Sequence, residues 1–207
     1  MFKKLFSLVA IFVMGAALTM KADTIGPGAS CSSCMGSSYT LTYSSLGSNQ
    51  YDVLLSIDTS GFTGPAGSFL NSVAFKLTPQ SNDITSILTV QQPATFGAIA
   101  ASGLNASGCA GGSGGYYCTE SSGNGVAVGG VYNFEYKITT TDLMLGSGAD
   151  SVKALYVNSN GQQDGITSEA ITLTPVAPTP EPSSMVLLAT GLLSAAGAVR
   201  RRIKAKV

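Results

Sequence analysis

Histidine and tryptophan are both absent from all 207 residues. Without histidine the chain lacks the usual general base of Ser and Cys hydrolases and the commonest metal ligand. Arginine occurs only at Arg200, Arg201 and Arg202, so residues 23–179 hold no bidentate clamp for phosphate or carboxylate. Positive charge is scarce there too. Between Asp23 and Thr179 only Lys76, Lys137 and Lys153 oppose ten acids, a net charge of about minus seven that the formal zero of the whole chain conceals. Such a body repels phosphate backbones, and no nucleic-acid partner is expected. Missing tryptophan leaves only tyrosine as a stacking platform for sugars. The glycines near Gly111 to Gly115 do not link a strand to a helix, so they are not a phosphate loop. Two carboxylates would suffice for a glycosidase, but Asp52 and Glu135 fall on polar strand faces or in turns. The expectation is no enzyme, no cofactor and no metal.

What is present is concentrated at the ends. Lys3 and Lys4, an apolar core from Leu5 to Leu18 and a small-residue stop at Lys21-Ala22 make the three parts of a secretory signal over residues 1–22, a ticket to the export translocon. The body between the ends is long enough for one domain with a real core. Residues 23–38 are rich in Gly, Ser and Cys without hydrophobic period, and read as an arm tethered outside the domain.

Cys31, Cys34, Cys109 and Cys118 form an even set in a chain sent to an oxidising compartment, so disulfides are expected. Three pairings are possible; the local one, Cys31 with Cys34 and Cys109 with Cys118, is preferred. The second bridge would close a loop of about ten residues and contribute roughly 2–3 kcal/mol by restricting the unfolded chain. Redox chemistry at Cys31-Ser32-Ser33-Cys34 or a zinc knuckle is disfavoured, because no βαβ pattern surrounds the first pair and the second spacing suits no common zinc site.

From residue 39 to 174 the pattern is strand after strand. Tyr39, Leu41 and Tyr43 alternate with polar neighbours, then Tyr51, Val53, Leu55 and Ile57 do the same beyond a turn at 46–50, which predicts an antiparallel hairpin. Further strands are predicted at Phe69 to Leu77, Ile84 to Val90, Val152 to Asn158 and Ile166 to Leu173. The strongest, Val131 to Thr139, is placed at the centre. Ser107 to Gly125 reads as a long disulfide-pinned loop carrying Tyr116 and Tyr117, the residues that would contact a ligand if the loop recognised one. The separator at 159–165 has oxygen side chains but lacks the alternating acids of a calcium loop. Seven to nine short strands with no convincing amphipathic helix predict an all-β antiparallel sandwich, with jelly-roll connectivity as the guess.

The last stretch has three parts in order. Residues 175–182 form a Pro-rich stalk ending in Pro180-Glu181-Pro182; residues 183–199 form an uncharged apolar run; residues 200–207 carry five of the chain's eleven basic residues. A basic cluster behind an apolar run predicts a membrane helix with a cytoplasmic end and the body on the other side. From Met185 to Val199 the strictly apolar part is about 15 residues, short of the roughly 17–25 of a stable span.

This tail closely resembles the PEP-CTERM sorting domain of exported proteins in Gram-negative bacteria, matched at Pro180, Glu181, Pro182 and Arg200 to Arg202. The resemblance implies recognition by a membrane-embedded exosortase. It implies a precursor anchored in the inner membrane facing the periplasm, then delivery to the cell surface or extracellular matrix. Two prolines hold the segment extended, as a processing enzyme needs. The function expected is a non-catalytic surface or matrix protein contributing to biofilm or exopolysaccharide structure. The alternative is a carbohydrate-binding module displayed at the surface.

Overall fold

The computed structural model describes residues 24–27, 31–78, 83–141, 150–172 and 174–175, and among them there is no helix. The expected signal segment, the end of the stalk, the apolar run and the basic tail lie outside the described residues. The strands in chain order are β1 (Thr24–Ile25), β2 (Ser38–Gly47), β3 (Gln50–Asp58), β4 (Phe69–Lys76), β5 (Ile84–Gln91), β6 (Ala100–Ala101) and β7 (Gly103–Asn105). Then come β8 (Gly108–Gly111), β9 (Tyr116–Glu120), β10 (Val126–Ala127), β11 (Val131–Thr140), β12 (Asp150–Val157), β13 (Gln163–Ile171) and β14 (Thr174–Pro175).

One sheet runs β1-β2-β3-β11-β5, with β14 also on β2; the second runs β13-β12-β4-β9-β6, with β10 also on β4; β7 and β8 form a separate hairpin. All pairings are antiparallel except β14 with β2. The β2–β3 hairpin shows how the sequence sets the register. Ser48 and Asn49 both take positive φ, 50° and 61°, as a two-residue hairpin loop with the correct twist requires. Tyr39 then lies opposite Ile57, Leu41 opposite Leu55 and Tyr43 opposite Val53. A slip of one residue would send this whole row to solvent.

The two sheets face one another across a shared apolar core in a sandwich-like arrangement. Phe75 of β4 approaches Tyr136 of β11 at 5.3 Å between ring centres, and Phe96 meets the edge of Phe134 at 5.0 Å. Phe134, Tyr136 and Ile138 are fully buried, and β11 is an interior strand between β3 and β5, as its alternation predicted. Each such side chain contributes roughly 1.5–3 kcal/mol by leaving water.

Two expectations are corrected. The connectivity is not a jelly roll, which would send successive strands to opposite sheets: β2–β3 and β12–β13 are hairpins within one sheet, held there by tight turns at residues 48–49 and 158–162. The described part of the expected arm at residues 23–38, residues 24–27 and 31–38, is part of the body. Thr24–Ile25 pairs with Tyr39–Thr40, and Cys34 is wholly buried in the core. Its hydrophobic period is absent because its packing is done by a disulfide, Met35 and close backbone contacts rather than by a strand face.

Candidate functional site

Both bridges have the preferred local pairing, with Cα atoms 5.4 Å apart for Cys31–Cys34 and 5.7 Å for Cys109–Cys118. They fasten different things. Cys31–Cys34 holds the loop of residues 31–37 where β2 faces β12 and β13. The Tyr39 and Tyr156 hydroxyls are 2.7 Å apart, with Thr167 Oγ1 3.0 Å from the first and Ser37 Oγ 3.0 Å from the second. Thr167 Oγ1 also donates to the Ser33 carbonyl at 3.0 Å, and the Ser33 hydroxyl donates to the Glu169 carboxylate. Burial pushes the Tyr39 phenol well above the usual tyrosine range, with the neighbouring Tyr156 adding to it, and burial also raises that of Tyr156. They stay protonated and donate throughout the neutral range. Gly36 has φ +78°, and a Cβ there would collide with the Gly61 carbonyl oxygen. Both residues of this pair are buried, Cys31 at 6 % exposure and Cys34 completely.

Cys109–Cys118 fastens the β7–β8 hairpin over the outer face of the second sheet. Leu104 there packs with Ala74, Leu155 and Val157, which explains why β4 is buried on both faces. Glu120 accepts the Cys109 N–H at 3.0 Å. Gly108, at φ +83°, has no room for a Cβ because the Glu120 carboxylate fills that place.

This covering changes the reading of Tyr116 and Tyr117. They do not stand on an exposed loop: they open β9, which pairs with β4. Strand alternation turns Tyr117 into the core, 5 % exposed, beside Phe75 at 6.4 Å. Tyr116 faces the other way and is half-buried, its hydroxyl 2.6 Å from Ser151 Oγ and its ring 4.4 Å beneath the Lys153 ammonium. The run Tyr-Tyr-Cys-Thr-Glu was a strand signal, masked by the glycines on either side.

The outer face of the first sheet is uncovered by any described residue. It presents Thr42, Ser44, Asp52, Leu54 and Glu135 around a shallow hollow of about 180 Å³. Ligand pockets usually enclose roughly 300–1,000 Å³. No group of three His, Cys, Asp or Glu able to hold a metal occurs among the described residues. In the 158–162 turn the Asn158 carboxamide oxygen accepts the Asn160 and Gln162 backbone N–H groups, so its oxygen closes the turn rather than a calcium shell. No helix among the described residues is long and apolar enough to cross a membrane.

Comparison with known proteins speaks to the tail. The model of the PEP-CTERM protein-sorting motif matches residues 178–202, which include Pro180, Glu181, Pro182 and Arg200 to Arg202. The chain therefore carries, at its C-terminal end, the sorting motif of exported proteins processed by an exosortase from a membrane-anchored precursor. No curated protein matches the chain. Among solved structures, an uncharacterized protein from Nocardia farcinica with an immunoglobulin-like fold is similar at 15 % identity, over 69 % of this chain and 90 % of that one, with a TM-score of 0.38.

Proposed function

We propose that this is a non-catalytic protein of the cell surface or extracellular matrix, delivered there by exosortase processing of its tail and contributing to the structure of a biofilm or its exopolysaccharide. The observation that carries this reading is the sorting motif over residues 178–202. Residues 183–199 hold the precursor in the inner membrane with its body in the periplasm, and their short apolar core suits a stop that lasts only until processing.

The use made of the acids supports a body without catalysis. Asp58 accepts the Ser60 N–H, Glu120 the Cys109 N–H, Asp150 the Thr78 N–H, and Asp164 and Glu169 accept from the Ser68 and Ser33 hydroxyls. Five of the ten acids between Asp23 and Thr179 are thus engaged in fixing turns and loops. The carbohydrate-binding alternative has less support at the two tyrosines nominated for it, because Tyr117 lies in the core and Tyr116 is held between Ser151 and Lys153.

The test compares the intact protein with a Glu181→Ala variant in cells that contain the exosortase, reading mass and location of the mature form. The expected result is a shortened, released wild type and a full-length variant retained in the inner membrane. If both remain full-length and membrane-bound, the tail is an anchor only and the reading fails.

A further inference from the structure

A sandwich of two sheets has four side edges, and three of those here are short or guarded. On the first sheet, β1 and β14 are two residues each; the chain turns through Gly26-Pro27 beyond β1, and Pro175 ends β14. On the second, β13 carries Asp164 and Glu169, and β6 is two residues long. The fourth edge is β5. Its eight residues, Ile-Thr-Ser-Ile-Leu-Thr-Val-Gln, contain no charge and no proline, and among the described residues only β11 pairs with it. Proteins ordinarily blunt such an edge with Lys, Pro or a cover, because its free N–H and C=O groups template another strand. Leu88 and Val90, 60 % and 53 % exposed, lie on it and are two of the four large apolar side chains exposed on the described body. Beside it the gap between the sheets stays open as a cleft of about 240 Å³, lined by Ile84, Thr85, Ser86 and Ile87 of β5 and by Ile99, Ala100, Ala101 and Tyr117 opposite. A strand added to β5 would set alternate side chains over that cleft, so the edge backbone and the unfilled gap of mixed polarity form one receptor for an extended strand.

We propose that β5 is a self-association edge: two copies of this chain pair β5 with β5 antiparallel about a two-fold axis, joining their first sheets into one. Charge selects a second copy as the occupant. Residues 23–179 carry a net charge of about minus seven, whereas β5 itself holds no acid, so copies that meet there repel one another less. The pairing with β11 defines a register to test. On the outer face Lys137 lies opposite Leu88 and Glu135 opposite Gln91, a bulge at Val90 putting Leu88 and Gln91 on the same side. Setting Leu88 of one copy against Gln91 of the other leaves Lys137 of each molecule in line with Glu135 of its mate, three strand spacings or about 14 Å away. The seam is also self-complementary in its cleft, since the two Ile87 and Ile99 sets come together as halves of one core. A strand of this length buries less than the roughly 1,600 Å² of a standard interface. Each contact is therefore weak, and it strengthens where many copies are displayed side by side. The inference concerns the body alone and stands or falls apart from the sorting of the tail.

The test uses exported protein in its own cells, where every cysteine of the described body is already bonded. Chains carrying Leu88→Cys and Gln91→Cys, with different tags, are co-expressed and examined on non-reducing gels. A mixed dimer is expected from this pair. The control replaces Gln91→Cys by Val131→Cys, on the same sheet and as exposed as Leu88 at 59 %, and should give none. A separate Leu88→Lys variant, at an exposed position that leaves the core intact, should reduce recovery of untagged by tagged wild-type-length chains to background. Equal yields from both cysteine pairs, no dimer from either, or undiminished co-recovery with Leu88→Lys would overturn the proposal. So would capture of a different protein on this edge in place of a second copy.

Discussion

The two long sides of the body are finished in opposite ways. On the side where β2 faces β13, a disulfide loop, two phenols, three hydroxyls and a carboxylate are knitted together, with backbones so close that Gly36 has no space for a methyl group. On the side where β5 faces β6, an uncharged strand and an open cleft are left beside exposed Leu88 and Val90. A small domain with few charges needs one firmly closed side for stability. The other side is then available for contact, and the difference separates the part of the body that keeps the fold from the part that meets other molecules.

Glycine substitutions give the largest contrast. Gly36→Ala, on the closed side, forces a side chain onto the Gly61 carbonyl at a positive φ and should cost about 3 kcal/mol or more in denaturant unfolding. Gly97→Ala, on the open side, meets only the Glu120 carbonyl oxygen at 3.5 Å, an ordinary contact, and should stay within about 0.5 kcal/mol of wild type. Equal losses would show that the two sides are equally tight.

The tyrosines sharpen the same comparison at smaller scale. Tyr156→Phe removes a hydroxyl that Tyr39 and Ser37 both use, and should destabilise by about 1–3 kcal/mol. Tyr136 of β11, the neighbour of β5, is wholly buried, but its hydroxyl has no hydrogen-bond partner among the described residues, and burial alone drives its pKa far up. Removing an unpaired buried hydroxyl gives up no bond, so Tyr136→Phe should be neutral or slightly stabilising. A Tyr136→Phe loss as large as that of Tyr156→Phe would mean that its hydroxyl has a bond worth as much.

The parts of the molecule differ in how far the sequence discloses them. The seven strands of eight to ten residues, β2, β3, β4, β5, β11, β12 and β13, stand out as runs rich in β-branched and aromatic residues, and in β2, β3 and β11 one face turned to the core adds a clear alternation. β9 does not, because Tyr116 and Tyr117 sit in a glycine-rich surround that reads as loop. Its partner β4 looks disturbed at Asn71 for a related reason, since both faces of β4 are covered and period two no longer marks one inward side. The loop at 31–37 closes the body through Gly, Cys and Ser, residue types that carry no periodic signal. That β5 is an edge follows from strand order alone, which alternation does not encode. The sorting motif is legible for the opposite reason: it is matched as a contiguous run, Pro180-Glu181-Pro182 through Arg202, so its information stays local in the chain.

The contrast between a closed and an available side is tested most directly by amide hydrogen exchange of the exported protein, dilute and then concentrated. The account predicts strong protection, in both conditions, of the amides in residues 38–47 and 163–171 that pair with β3 and β12. Residues 84–91 should exchange faster when dilute and gain protection on concentration, and Leu88→Lys should abolish that gain with almost no change in stability. Protection of residues 84–91 that is equal to that of residues 38–47 at every concentration would contradict it.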